Sequence, residues 1–335
     1  MRKKNKVTIQ DIAGLAGVSP TTVSAYLNGR AREYNLAQKT CERIQKVVDE
    51  QNYRANFHAR AMLEQKTYLI GVIISNIASS FWNRILWGIN KELAANNFYM
   101  LLAETNNLPD NEQKAFQYMD NISVDGYIYA PVMDGSLPTL AHDAKQLRGK
   151  PIVSIMHPVP GVPSIFTDHT VGGELEGELV FRAGHRRIAY LGKISKARNQ
   201  RTDERYNGLC SYLNRYGIEV PAFDDVEDIL PHVKNFTAVC CFRDETAARL
   251  ILRLQDMQIR VPDDISVAGY SFQPDIHEFI RPQLTTVMEH KEKIGQLAAQ
   301  QLLTMINHPD TLPEPLHSKL PPYIVEGQSV RTLAD

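Results

Sequence analysis

Residues 8–30, TIQDIAGLAGVSPTTVSAYLNGR, carry two short helical patterns separated by a single glycine, and few folds accommodate so tight a pair. Thr8 followed by Asp11 is a capping signal, and Ile9, Ile12, Ala13, Leu15 and Ala16 supply a buried stripe for the first helix. Gly17 ends that helix, and Val18 plugs the turn. Ser19 can cap a second helix, and Pro20 suits its first position, where a missing N–H costs nothing. Thr21, Thr22 and Ser24 then stand near a helix N-terminus that attracts phosphate, Val23 and Leu27 pack inward, and Ala25 and Tyr26 point elsewhere. The pattern reads as a helix-turn-helix that sets its second helix against DNA, with an ordinary helical hairpin as the competing reading.

Charge is distributed to match. The 335 residues carry a net charge of −1, but residues 1–66 hold 12 Lys or Arg against 6 acidic residues, leaving 25 against 32 in the remainder. A basic head of +6 on an acidic body of −7 is the asymmetry of a small nucleic-acid-binding module, and phosphate neutralisation makes such binding salt-dependent. Hydrophobic residues make up 43% of the chain, enough for two or three packed domains. Cys41, Cys210, Cys240 and Cys241 show neither CxxC spacing nor a disulfide framework, so they read as reduced packing residues, and no metal or cofactor is expected. The basic start MRKKNK leads into no apolar stretch, and no run of about 18 apolar residues follows, which implies a cytoplasmic protein.

From residue 69 short apolar runs alternate with helical stretches: LIGVII (69–74), FYMLL (98–102), GYIYA (126–130) and PIVSI (151–155), then RIAYLG (187–192), AVCCF (238–242) and ISVAGY (265–270). Continuous apolar strands between helices mean parallel sheets covered on both faces, so the body is expected to be two doubly wound α/β subdomains with a ligand cleft at the carboxyl ends of the strands. No nucleophile elbow, P-loop, zinc-ligand cluster or paired-carboxylate site is present, which argues against an enzyme. His157, His185 and His290 are scattered and read as structural.

The segment 8–30, a third helical stretch at about 37–51, the segment NYRANFHARAMLEQKT, and the motifs VDGYIYAP (124–131), GHRRIAYLG (184–192), RVPDDISVAGY (260–270) and PQLTTV (282–287) together resemble the LacI/GalR family of bacterial transcriptional regulators. The resemblance implies a helix-turn-helix head at 1–54, a hinge helix or linker at 55–66, and a periplasmic-binding-protein-like effector and dimerisation domain at 67–335. Its N-subdomain would take about 67–168 and 288–318 and its C-subdomain about 169–287 and 319–335, with crossovers near 168, 287 and 319. It further implies a homodimer on a pseudo-palindromic DNA operator, acting as a repressor and controlled by a sugar-like effector. A ligand-independent regulator with a vestigial cleft is the alternative.

By position in that family, Pro20, Thr21 and Ala25 would face bases, with Thr8, Ser19, Thr22, Ser24 and Asn28 nearer phosphate. Relatives often carry a long donor where Ala25 stands; an alanine offers only an apolar contact such as a thymine methyl, so Thr21 and Tyr26 would carry more of the readout. Another departure is Ala37, where relatives usually cap the third helix with Ser. In the hinge, Asn56, Ala59 and Arg60 would face the minor groove, and Met62 stands where relatives wedge a leucine into a base step. In the cleft, Arg205 matches an arginine that reaches ligand hydroxyls; Phe81 and Trp82 offer stacking faces; Asn76, Phe166 and Asp244 also fall at matching positions. Met156, Arg243 and Ser271 replace residues that are often acidic, Asn and Asp in relatives. Fewer carboxylates and a pair of arginines would favour an anionic effector, a phosphorylated or acidic sugar.

Overall fold

The computed structural model describes residues 7–27, 29–53, 66–134, 137–138, 149–192, 200–309 and 312–333. Asn28, Asn56, Ala59, Arg60 and Met62, and with them nearly all of the expected hinge helix, lie outside the described residues. The chain divides into a head, up to Thr67, and a body, from Tyr68.

The head is three helices: α1 (Ile9–Ala16), α2 (Pro20–Leu27) and α3 (Gln38–Glu50). Thr8 and Asp11 close a reciprocal capping box on α1, with the Thr8 backbone N–H donating to Asp11 Oδ2 at 2.8 Å and the Asp11 N–H to Thr8 Oγ1 at 3.3 Å. Gly17 ends α1 in the left-handed region at φ 62°, a conformation that costs glycine nothing. Ile12, Ala13 and Ala16 meet Val23 of α2 and Ile44 and Val47 of α3 in one buried cluster. Leu15, expected in that stripe, is 59% exposed, because at 100° per residue it falls outside the arc shared by positions 9, 12, 13 and 16. No side chain caps α3 at Ala37; Asn35 instead takes a left-handed φ of 50° in the preceding loop.

The body holds two six-stranded sheets. The first is built from β1 (Leu69–Ile74), β2 (Tyr99–Glu104), β3 (Gly126–Tyr129), β4 (Ile152–Ile155), β5 (Ser164–Thr167) and a late strand, β11 (His317–Leu320), in the order β11-β5-β4-β3-β1-β2. Every pairing in it is parallel. The second comprises β6 (Ile188–Leu191), β7 (Ala222–Phe223), β8 (Ala238–Cys241), β9 (Ser266–Tyr270), β10 (Thr285–Met288) and β12 (Tyr323–Val325), in the order β12-β10-β9-β8-β6-β7, with only the β12 pairing antiparallel. The central strands are buried along their length because helices cover both faces, as the unbroken apolar runs require.

Helices α4 (Phe81–Ala95), α5 (Pro109–Ile122) and α9 (Lys291–Asn307) pack on the first sheet, and α6 (His169–Arg182), α7 (Gln200–Asn214) and α8 (Asp244–Asp256) belong to the second. The chain therefore changes subdomain at Asp168, at Glu289–His290 and at residues 321–322. Two helix pairs close on glycine. A Cβ on Gly88 would stand 2.2 Å from the Glu292 carbonyl oxygen, and one on Gly295 would stand 2.1 Å from that of Ile85, so α4 and α9 touch backbone to backbone. Gly173 and Gly208 do the same for α6 and α7.

Candidate functional site

At the start of α2 the residues Ser19, Pro20 and Thr21 are exposed. Ser19 Oγ accepts the Thr22 backbone N–H at 3.1 Å and pairs with Thr22 Oγ1 at 2.8 Å, so this cap fixes both side chains while the rim stays polar. Thr8, capping α1, is also exposed. Ser24 is half-buried.

Two expectations change here. Ala25 is only 5% exposed, so its methyl is not offered to a thymine. The Tyr26 hydroxyl donates to Gln45 Oε1 of α3 at 2.8 Å and its ring joins the head core, so Tyr26 ties α2 to α3 instead of pointing at bases. Of the residues expected to face bases, Pro20 and Thr21 are the exposed ones in the described part of α2.

Around the contacts between the two subdomains the chemistry is denser in charge than the substitutions at Met156, Arg243 and Ser271 imply. Arg205 is 3% exposed. Its guanidinium lies 3.7 Å from the centroid of the Tyr270 ring, donates to the Phe242 carbonyl at 2.6 Å and to His169 Nδ1 at 3.3 Å, and stands 3.6 Å from Glu289 Oε1. With Nδ1 of His169 accepting, the imidazole proton sits on Nε2, 3.8 Å from the same Glu289 oxygen. The other Glu289 oxygen accepts from Ser271 Oγ at 2.6 Å. Arg205 is therefore already matched by a carboxylate of its own chain, and the expectation of a carboxylate-poor cleft is corrected by Glu289 and by Glu245, which receives the Gln273 amide.

Asp244, expected at the cleft, has both carboxyl oxygens engaged within the chain. It is fully buried, accepting from Thr286 Oγ1 at 2.6 Å and from the Gln273 backbone N–H at 2.9 Å. Burial pushes its carboxyl up to about 7 against the pull of those two hydrogen bonds. Lys291, at the first position of α9, donates to the carbonyls of Ser271 at 2.5 Å and Phe272 at 3.3 Å and lies over the Phe81 ring at 4.8 Å. Burial lowers its ammonium from the usual lysine range. Ser80 donates to Gln273 Oε1 at 2.7 Å, a bond from one subdomain to the other.

Of the remaining expected cleft residues, Trp82 is 3% exposed and donates from Nε1 to Ser75 Oγ at 3.0 Å; it is a core residue and not a stacking face. Phe81 is half-buried beside Lys291. Asn76 is exposed and turns its side-chain oxygen onto the Ala78 N–H at 2.8 Å. Arg243 is exposed over the Phe242 ring at 4.9 Å. Phe166 is buried at the end of β5. Met156 and Ser271 hold left-handed φ values of 73° and 80° at the ends of β4 and β9, uncommon for side chains of any size and concentrated where sites are built. Glu289, Lys291 and His169 were missed from the pattern alone. A charged run, EHKEK, directly after an apolar strand was the available signal for the first two.

Similarity to known proteins runs through both parts of the chain. Residues 8–56 match the model for bacterial regulatory proteins of the lacI family, and residues 178–330 match that for a periplasmic binding protein-like domain. The chain is 30% identical to the HTH-type transcriptional repressor PurR of Vibrio atlanticus, over 97% of this chain and 99% of that one. It is 26% identical to catabolite control protein A of Staphylococcus aureus, over 92% and 95%. A crystal structure of the lac repressor dimer bound to operator and the anti-inducer ONPF superposes with a TM-score of 0.81 at 23% identity, covering 98% of this chain and all of that one. A helix-turn-helix head and a two-sheet α/β body, matched across their full length by a repressor at this identity, place the chain in the LacI family of bacterial regulatory proteins.

Proposed function

We propose that the protein is a homodimeric, sequence-specific DNA-binding regulator of the cytoplasm, acting as a repressor on a pseudo-palindromic operator and gated by a small molecule held in its body. The observation that carries this reading is the exposed Ser19-Pro20-Thr21 start of a capped second helix in a head of net positive charge. The relatives named above are repressors or control proteins, and one was solved as a dimer on its operator. Pro20 and Thr21 read bases, Ser19 and Thr22 set the helix on the backbone, and Asn28 extends that contact. In the hinge, Asn56, Ala59 and Arg60 line the minor groove while Met62 wedges a central step. Binding, not catalysis, is the activity: the acids and bases of the cleft are committed to one another.

The effector is a neutral, hydroxyl-rich molecule. A solved LacI-family regulator from Enterococcus faecium, 25% identical over 79% of this chain with a TM-score of 0.68, holds ribose. An anionic effector loses its rationale once Glu289 stands beside Arg205. A second reading, a regulator that answers to no ligand, is favoured by the internal satisfaction of Arg205, Asp244 and Ser271.

The test is competitive fluorescence anisotropy on operator DNA recovered by selection from a random duplex pool. Thr21→Ala should raise Kd for that operator at least tenfold while leaving non-specific binding unchanged. An equal loss on both DNAs would remove Thr21 from base readout. Addition of neutral sugars should shift operator affinity; if no sugar or metabolite does, the ligand-free reading is correct.

A further inference from the structure

Two helices of the first subdomain begin against the same short segment of the second, and neither spends its first residues on a side-chain cap of its own. Ser80 stands at the N-cap of α4, where a serine ordinarily accepts an N–H of the first turn, yet it makes no such bond; its hydroxyl donates to Gln273 Oε1 at 2.7 Å instead. His290, the N-cap of α9, likewise offers no side-chain cap. The residue after it is Lys291, a cation at the positive end of a helix dipole, where that sign of charge is disfavoured. Lys291 is only 6% exposed, and its ammonium donates to the carbonyls of Ser271 and Phe272 across the subdomain boundary. Because Gly88 and Gly295 bring α4 and α9 together backbone to backbone, the two donors stand on one platform.

The segment they hold, residues 271–273, is strained and gripped from several sides. Ser271 keeps φ 80° directly after β9, a conformation that persists in a residue with a side chain only where its surroundings impose it. Its hydroxyl donates to Glu289 at the second crossover. Gln273 gives its backbone N–H to Asp244 and its amide N–H to Glu245, which leaves its amide oxygen to Ser80. Parting the subdomains breaks the Ser80 bond and both Lys291 bonds together. They resist opening as a set, in partly or fully buried surroundings where such bonds are stronger than in water.

We infer that this grip is a latch: in the ligand-free protein the chain's own Ser80 and Lys291 hold the two subdomains closed on each other, and that arrangement sets the affinity for operator DNA before any effector binds. The inference rests on the reading that the body governs the head, and adds that the resting state is built into the chain. Tethered donors act at a high effective concentration, so the closed arrangement is populated with no small molecule to bridge it. An effector therefore acts on a body that is already closed.

The test is hydrogen exchange read by mass spectrometry on the full-length protein without ligand, for wild type, Ser80→Ala, Lys291→Met and the double variant, followed by operator Kd from fluorescence anisotropy. Peptides covering residues 79–83 and 270–274, one from each subdomain, should exchange about tenfold faster or more in the double variant, while β8 keeps its wild-type protection. Operator Kd should shift by about fivefold or more, with binding to scrambled DNA unchanged. Ser80→Thr, which keeps the hydroxyl, should match wild type in both measurements. If Lys291→Met does not fold, the exposed Ser80 carries the test alone. Wild-type exchange in both segments overturns the latch, and so does faster exchange confined to 270–274, which would make these contacts the support of one loop. Faster exchange in both segments with an unchanged operator Kd overturns the control of DNA binding; the sugar titration on operator DNA then decides whether ligand gating stands without it.

Discussion

Glu176 lies fully buried on α6 with neither carboxyl oxygen hydrogen-bonded among the described residues, and burial holds its pKa well above the usual carboxylate value. A group whose folded pKa is raised favours folding in its protonated form, so its contribution is present at low pH and is lost as pH climbs from the unfolded value of about 4.5. Glu176→Leu should therefore stabilise the protein at pH 7 by about 1–2 kcal/mol in urea denaturation, since a neutral side chain removes an unpaired polar group from the core. A loss of similar size would mean that Glu176 is paired. His185 runs in the opposite sense. It is buried, its Nε2 bonds the Arg331 carbonyl at 3.2 Å, and burial lowers its pKa to about 4. Stability should thus fall as pH drops from about 6.5 toward about 4, by roughly 2–3 kcal/mol over the window. In His185→Gln that component of the pH dependence should vanish; an unchanged profile would show that the imidazole is free to charge in the folded state.

At the scale of elements, the glycine contacts decide how closely helices approach. Gly88→Ala places a methyl against the backbone of Glu292, which cannot rotate aside, so α4 and α9 must separate. The expected cost is about 2–4 kcal/mol, read as a lower urea midpoint at unchanged m-value; a change under 0.5 kcal/mol would mean that the pair slides freely. These elements were legible to very different degrees. Strands such as Leu69–Ile74 were readable because an apolar run bounded by helical stretches leaves little choice, and α1 and α2 were readable because each carries its own cap. The side-chain roles were harder. Ala25, Tyr26 and Trp82 each occupy a position whose direction depends on which neighbour packs against the helix, and that is a tertiary fact. Glu289 meets Arg205 and His169 only because two crossovers, more than a hundred residues apart in the chain, return to the same hinge.

At the scale of the molecule, charge is divided between a basic head and an acidic body. Operator affinity should fall steeply with ionic strength, by about a hundredfold or more between 50 and 200 mM salt in fluorescence anisotropy. A weak slope would mean that few phosphates are neutralised. The measurement closest to the central claim is selection of bound sequences from a random duplex library by the full-length protein at physiological salt, followed by Kd determination on the winner. A regulator of the kind argued here enriches one pseudo-palindromic sequence and binds it at least about a thousandfold more tightly than scrambled DNA. If no sequence is enriched and scrambled DNA binds equally well, the head is a non-specific basic module and the account is wrong.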